Sequence, residues 1–249
     1  MRPRKKLPAS AEPGDNAAMK PLHIGIAACS AEGAALCYRT ICIEAPALIA
    51  PHAHPEVSLH SPSLADYMTL IYRGDWAGVG EMMLASAHKL RQMGADFVIC
   101  PDNTIHQALP QVVQRSPLPW LHIAEEVARE AVARGFKRLA ITGTRWLVDS
   151  QVYPDALKAQ GLAYMLPAPE ECHEINRIIM EELVCSVFKA EAVAYFQRVS
   201  ARMKDAGCDA VVLGCTEIPL IMNDANSPLP TLDSTRLLAR AALRRAVEA

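Results

Sequence analysis

The chain has 249 residues, of which 51% are hydrophobic and 21% are charged, a composition typical of a globular protein with a sizeable core. It excludes a disordered, collagen-like or disulfide-stapled chain. The 25 basic and 27 acidic residues give a formal net charge of -2, so no strong attraction to nucleic acid or anionic lipid is expected. The expected ligand is therefore a small molecule.

Residues 1–19 carry basic residues, Pro, Ala and Asp without an apolar run behind the charges. This pattern predicts a flexible tail and no secretory signal. The chain also has no uninterrupted apolar stretch of about 18 residues, so a membrane span is not expected. Eight cysteines at irregular spacing include no CxxC pair, which predicts neither a zinc site nor a redox dithiol and favours a reduced, cytoplasmic protein.

From Leu22 onward, short apolar runs alternate with longer helical patterns, which is typical of an α/β fold with mostly parallel sheets. The runs predict strands at 22–27, 95–99, 118–123, 138–142, 163–166, 209–213 and 231–232. Residues 75–93 predict a helix capped by Asp75 and followed by Gly94. Residues 234–247 predict an amphipathic helix with its arginines on a solvated face.

The segment PHAHPEVSLH at 51–60 contains three of the eight histidines. Two of them and Glu56 could in principle hold a divalent ion. Proline-broken loops rarely fix ligand geometry, and no further ligand is evident in the sequence. We therefore predict no metal site, and we interpret the segment as a mobile rim of a ligand cleft.

Two pairs of segments repeat at nearly the same offset, of 113 and 111 residues. Residues 94–106 (GADFVICPDNTIH) match 207–219 (GCDAVVLGCTEIP), and residues 118–131 (LPWLHIAEEVAREA) match 229–242 (LPTLDSTRLLARAA). Chance similarity between amphipathic units is the alternative, but two agreeing offsets favour duplication. By these positions the first domain comprises 20–116 plus 226–249, and the second comprises 117–225.

Two similar halves that face each other place the loops at their strand ends around one shared cleft, where open α/β sheets bind ligands. Asp102 and Cys215 each follow an equivalent strand, so they would approach a bound molecule from opposite faces. That arrangement suits removal of a proton from one face of a carbon atom and delivery to the other. The alternatives are a buried inert thiol for Cys215 and a helix-capping carboxylate for Asp102.

The segments LGCTEIPL at 213–220 and PDNTIH at 101–106 resemble the paired motifs of the aspartate/glutamate racemase family, within the Asp/Glu/hydantoin racemase superfamily. The runs at 143–153 and 175–183, and Asp233 in TLDST, extend the resemblance to roughly residues 22–246. It implies two similar Rossmann-like domains related by a pseudo-twofold axis, with mostly parallel sheets and an active site in the interdomain cleft. It also implies a homodimer and a cofactor-independent enzyme that uses two cysteines as acid and base.

Cys215 matches the second cysteine of this pattern, whereas Asp102 stands where the first cysteine would precede Asn-Thr. A thiol has an ordinary pKa of about 8.5, and an aspartate, at about 3.9, is a weak base unless burial or a nearby anion raises its pKa. We expect an amino-acid racemase of aspartate/glutamate type with Cys215 and Asp102 as its acid and base. The alternatives are a one-thiol decarboxylase or cis-trans isomerase of a small dicarboxylic acid, and a catalytically silent protein that binds a small acid.

The substrate carboxylate should be bound by short polar side chains and backbone N–H groups near helix starts. The candidates in the two motifs are Asn103, Thr104 and Thr216, and the resemblance adds Thr144 and Ser30. For each of these the alternative role is a helix cap. Leu147 occupies a position where the family often has threonine, which indicates a less polar pocket and leaves open, beside aspartate or glutamate, a substrate whose side chain carries no carboxylate.

Overall fold

The computed structural model of the chain describes residues 20–248, so the predicted tail at 1–19 lies outside the described residues. Two parallel sheets form the framework, one with the strand order β2-β1-β3 and the other with the order β5-β4-β6-β7. The strands are β1 (Ile24–Ala27), β2 (Val57–His60), β3 (Phe97–Ile99), β4 (Arg138–Thr142), β5 (Ala163–Met165), β6 (Ala210–Leu213) and β7 (Thr231–Asp233). The predicted α/β fold with parallel sheets is therefore confirmed.

Helices connect the strands and cover the sheets. They are α1 (Ala31–Glu44), α2 (Leu64–Arg73), α3 (Trp76–Gln92), α4 (Leu109–Val113), α5 (Ile123–Ala133), α6 (Arg145–Val148), α7 (Val152–Ala159), α8 (Pro169–Glu181), α9 (Ala190–Asp205) and α10 (Ser234–Val247). Helix α3 begins and ends as predicted, because Asp75 accepts a hydrogen bond from the Gly78 N–H (2.8 Å) and Gly94 adopts a φ of 91°. Over residues 20–248 no helix combines the length and apolarity that crossing a membrane requires.

Strand β2 corrects the interpretation of residues 51–60 as a mobile rim. It pairs in parallel with β1, and His60 Nδ1 lies 3.0 Å from the Ser86 hydroxyl. Three of its four side chains are partly buried and one is exposed, and polar residues interrupt the sequence VSLH, so no continuous apolar run marked it as a strand. Within the part of the chain that the structure describes, no cluster of three or more His, Cys, Asp or Glu is placed to hold a metal ion.

The chain passes between the two sheets at places that differ from the expected boundaries. Residues 119–121 hydrogen-bond to β3 of the first sheet, through the Val98 N–H to Pro119 O (2.8 Å) and the Leu121 N–H to Val98 O (3.1 Å). Strand β7, expected with the first sheet, instead pairs with β6 of the second. In each half, the chain therefore crosses to the other sheet after the short segment (residues 119–121 or β7) rather than before it.

The helices that follow these two crossings complete the opposite halves. Helix α5 contributes apolar side chains to the core around β4 and α7, whereas α10 contributes to the core around β1 and α1. The two helices also pack against each other. This reciprocal exchange fixes the two halves together and brings the carboxyl ends of β3 and β6 to one place.

Candidate active site

The loops after β3 and β6 meet at a small cavity of about 50 Å³. Asp102 and Cys215 both line it, together with Asn103, Thr104, Thr144, Thr216 and Ser30. The structure thus brings together every candidate site residue that the sequence indicates. The volume is well below the roughly 300–1,000 Å³ of typical ligand pockets, so the residues covering the cavity must move to admit an amino acid.

Cys215 lies beside a carboxylate that the sequence analysis did not single out. Its thiol donates a hydrogen bond to Glu217 Oε2 (2.9 Å), and the Thr216 hydroxyl donates to the same oxygen (2.9 Å). Burial raises the pKa of the Cys215 thiol well above its ordinary value, and the charge of Glu217 raises it further. Cys215 therefore rests as a protonated thiol that can donate a proton.

Asp102 combines the two roles that the sequence left open. Its Oδ1 accepts a hydrogen bond from the Ile105 N–H (3.0 Å), so it caps the turn that follows, as an ordinary helix-start aspartate does. Burial nevertheless raises the pKa of the Asp102 carboxyl to about 6, and the charge of Glu217 adds to this effect, although the bond from Ile105 opposes it. Both the protonated and the ionised form of Asp102 are therefore populated near neutral pH.

Two pairs of hydroxyl groups connect loops from opposite halves. Ser30 Oγ lies 3.2 Å from Thr216 Oγ1, and Thr104 Oγ1 lies 2.9 Å from Thr144 Oγ1. Ser30 and Thr144 also cap their helices, accepting hydrogen bonds from the Gly33 and Leu147 N–H groups, respectively (both 3.3 Å). Ser30 and Thr144 therefore both cap a helix and line the cavity.

Asn103 has most of its hydrogen-bonding capacity occupied. Its Oδ1 accepts a hydrogen bond from the Tyr153 hydroxyl (2.8 Å), and its Nδ2 donates to Ser234 Oγ (3.0 Å). These contacts join the loop after β3 to α7 and to the start of α10. One amide proton is left for a ligand, so Asn103 serves first to hold the loop in place.

A glycine allows α1 to approach both loops closely. A Cβ atom on Gly33 would lie 2.7 Å from Thr216 Cβ and 2.7 Å from the Pro101 carbonyl oxygen. Any larger residue would therefore push the start of α1 away from the loops that carry Asp102 and Cys215.

The cavity is apolar on the side away from the hydroxyl groups. Leu147, from which a less polar pocket was predicted, does not line it; its side chain packs behind the loops, near Gly143 and Gly214. The apolar surface comes instead from α2, α6, α8 and the turn after α8: Leu64, Met68, Ile71, Trp146, Ile179, Met180 and Val184. The lining residues among 20–248 include no lysine or arginine.

A second thiol also lines the cavity, and the sequence analysis missed it. Cys29 lies two residues beyond the end of β1, is 3% exposed, and lines the cavity together with Asp102. Burial and the charge of Asp102 raise the pKa of the Cys29 thiol well above its ordinary value. Its position at the end of a central parallel strand, next to Ser30, was the available signal.

Known proteins resemble this chain along most of its length. The family model described as Asp/Glu/Hydantoin racemase matches residues 26–242. The broad specificity amino-acid racemase RacX of Bacillus subtilis is 24% identical over 162 residues, which cover 64% of this chain and 68% of RacX. A glutamate racemase of Thermus thermophilus is 30% identical over 166 residues, which cover 64% of this chain and only 58% of that enzyme.

The fold is shared with solved structures as well. The crystal structure of a candidate Asp/Glu racemase from Yersinia pestis superimposes with a TM-score of 0.83 at 26% identity, covering 91% of this chain and 99% of that one. The family-model match at residues 26–242 spans all seven strands of the two sheets except the first two residues of β1. The chain therefore belongs to the Asp/Glu/hydantoin racemase family.

Proposed function

We propose that the protein is a cofactor-independent amino-acid racemase that moves a proton between the two faces of the substrate α-carbon. The observation that carries this proposal is the meeting of two proton-exchanging groups, Cys215 and Asp102, in one cavity from opposite halves of the fold. Membership of the racemase family supports it. A homodimer, which the resemblance implies, and a cytoplasmic location, which the cysteine usage favours, are part of the same proposal.

The two sides of the cavity differ in what they can supply. Cys215 has a raised pKa and rests as a thiol, so it can deliver a proton to a carbanion. The Asp102 side can take a proton, because the carboxyl pKa of about 6 leaves a large ionised fraction at neutral pH. We assign binding of the substrate carboxylate to the paired hydroxyls of Ser30 with Thr216 and of Thr104 with Thr144, and their positions in the cavity lining support this assignment.

The cavity lining favours a substrate with an uncharged side chain. Asp102 and Glu217 already place two carboxyl groups in the cavity, and none of its described lining residues is a lysine or arginine that could balance a third. The apolar side chains of Met68, Ile71 and Trp146 suit an aliphatic substituent instead. We therefore propose that neutral amino acids react faster than aspartate and glutamate, which refines the expected aspartate/glutamate type.

The test is incorporation of solvent deuterium, measured by mass spectrometry and chiral chromatography on separate D- and L-amino acids and small dicarboxylates, without added cofactor. The native chain is compared with Cys215→Ala and Asp102→Ala, and with Cys185→Ala, which removes an exposed thiol, as a matched control. Exchange with inversion that is lost in both site variants and kept in the control supports a racemase with two unlike sides.

Two other outcomes would replace the proposal. Conversion of a dicarboxylic acid without racemisation of any amino acid, lost in Cys215→Ala but kept in Asp102→Ala, would establish a one-thiol decarboxylase or cis-trans isomerase. Saturable binding of a small acid with no deuterium entering it would identify a catalytically silent binding protein.

A further inference from the structure

Each of the two carboxyl groups in the cavity has a thiol near it. On one side the Cys215 thiol donates a hydrogen bond to Glu217 Oε2 at 2.9 Å. On the other side Cys29 and Asp102 line the cavity together, and Asp102 is close enough for its charge to raise the pKa of the Cys29 thiol. Both thiols line the same cavity, so a ligand there has a thiol-carboxylate pair on either side.

We propose that Cys29 is the catalytic residue that exchanges a proton with the substrate α-carbon on the first side, and that Asp102 acts through it as the acceptor of its proton. This inference rests on the proposed racemase function and names the atoms of one of its two sides. The second thiol would then come from the end of β1 rather than from the loop after β3, where Asp102 stands.

The surroundings of Asp102 favour this assignment over direct attack by the carboxylate. One oxygen of the Asp102 carboxylate is held by the Ile105 N–H, and the Cys29 thiol lines the same cavity close to this carboxylate. A thiolate is weakly hydrated and polarisable, so it is well suited to remove a proton from carbon in a closed apolar cavity. The Asp102 carboxylate is well placed to keep the proton that the thiol releases.

Two other buried cysteines show that burial alone does not mark this site. Cys37 lies on α1 in the core under the first sheet, and Cys100 follows β3 in the same apolar cluster as Cys29. Both are 0% exposed, and neither lines the cavity. Cys29 differs from them because it lines the cavity together with the Asp102 carboxylate.

The proton transfers balance in both directions. When the α-carbon hydrogen faces Cys29, the C–H bond breaks as its proton passes to Cys29 Sγ, and the proton that Sγ held passes to the Asp102 carboxylate. The electron pair left on carbon takes the proton of the Cys215 thiol on the opposite face, leaving a thiolate. In the reverse direction Cys215 passes its proton to Glu217 and Cys29 reprotonates the carbon, and exchange with solvent restores both pairs.

The test compares Cys29→Ala with Cys215→Ala, following deuterium entry into each enantiomer separately from racemisation. Cys100→Ala is the matched control, because Cys100 packs in the same apolar cluster as Cys29 but does not line the cavity. We expect Cys29→Ala to lose racemisation by about 100-fold or more. It should keep deuterium entry only into the enantiomer whose α-hydrogen faces Cys215, and Cys215→Ala should show the opposite pattern.

A measurement independent of turnover checks the contact between Cys29 and Asp102. Asp102→Asn removes a charge that raises the pKa of the Cys29 thiol, so iodoacetamide should modify Cys29 several-fold faster at pH 8 than in the native chain, judged against the exposed Cys185 by peptide mass spectrometry. Circular dichroism establishes that each variant is folded. An unchanged rate ratio would contradict the pair.

The inference and the proposed function fail in different ways. Native racemisation in Cys29→Ala, with Cys215→Ala inactive, would overturn the role of Cys29 and leave the racemase standing. Loss of deuterium exchange into both enantiomers in folded Cys29→Ala would also overturn the proposal that Cys29 acts on only one face of the α-carbon. No α-carbon exchange by the native chain with any amino acid would overturn the racemase, and the role of Cys29 with it.

Discussion

The loops after β3 and β6 occupy equivalent places in the two halves, yet they differ in how their chemistry is assembled. After β6, one short peptide supplies the Cys215 thiol, the Thr216 hydroxyl and the Glu217 carboxylate, which hydrogen-bond to one another. After β3, the loop supplies only the Asp102 carboxylate, and the adjacent thiol comes from Cys29 at the end of β1. A repeated backbone therefore presents a thiol beside a carboxylate on both sides by two different routes.

The largest expected effect comes from removing the Cys215 thiol, on the side of the cavity whose groups come from the single peptide after β6. Cys215→Ala should reduce racemisation by about 1,000-fold, because the Cys215 thiol is the proton donor on its face of the substrate. The alanine side chain cannot pass a proton from Glu217 to the substrate in its place. Chiral chromatography of the product measures this loss, with Cys185→Ala as the control. Racemisation within tenfold of the native rate would mean that the two sides are not both needed.

The hydroxyl pairs that join the halves give the next effect. Thr104→Val removes one hydroxyl of the Thr104–Thr144 pair and should raise the KM for the amino acid by about 10-fold, because a hydrogen bond to a charged carboxylate is worth roughly 1.5–3 kcal/mol. Since bond breaking occurs elsewhere, kcat should change little. Thr69→Val, which alters an exposed hydroxyl on α2, is the control, and an unchanged KM in Thr104→Val would remove the pair from substrate binding.

The raised carboxyl pKa of Asp102 should also make the free energy of unfolding depend on pH. Its carboxyl pKa of about 6 lies above the ordinary value of 3.8, so the folded chain holds this proton more tightly than the unfolded chain, and its contribution to stability is lost as pH rises from about 4 to 6. Asp102→Asn should therefore raise the free energy of unfolding by about 3 kcal/mol at pH 8 and change it little at pH 4. Denaturant unfolding at both pH values measures this, and equal effects would contradict the raised pKa.

The sequence predicted those parts of the site that are written in contiguous residues. The apolar runs of β3 and β6 and the polar residues after them predicted where Asp102 and Cys215 meet, because the carboxyl ends of parallel strands share an edge. Strand β2 escaped prediction because its half-exposed side chains form no apolar run. Cys29 escaped because the contact that distinguishes it from the other buried cysteines joins residues far apart in the chain.

The strand crossings were missed for a related reason. Residues 119–121 and β7 are too short for their own pattern to show which sheet they join, and only the hydrogen bonds from Val98 to Pro119 and from Val211 to Pro230 decide it. The matched prolines at these places were visible in the sequence. Their partners were not, since pairing between strands depends on the packing of the whole sheet.

The smallest expected effect sharpens the comparison on the Cys215 side. Glu217 raises the pKa of the Cys215 thiol, but burial is the larger cause, so Glu217→Gln should lower that pKa only in part. Iodoacetamide should then modify Cys215 a few-fold faster at pH 8, while the rate at Cys29 changes less, because the charge of Glu217 is only a minor cause of the raised pKa of Cys29. If both thiols respond equally, the two carboxylates act on the cavity as a common field, and the division into two separate thiol-carboxylate pairs would have to be abandoned.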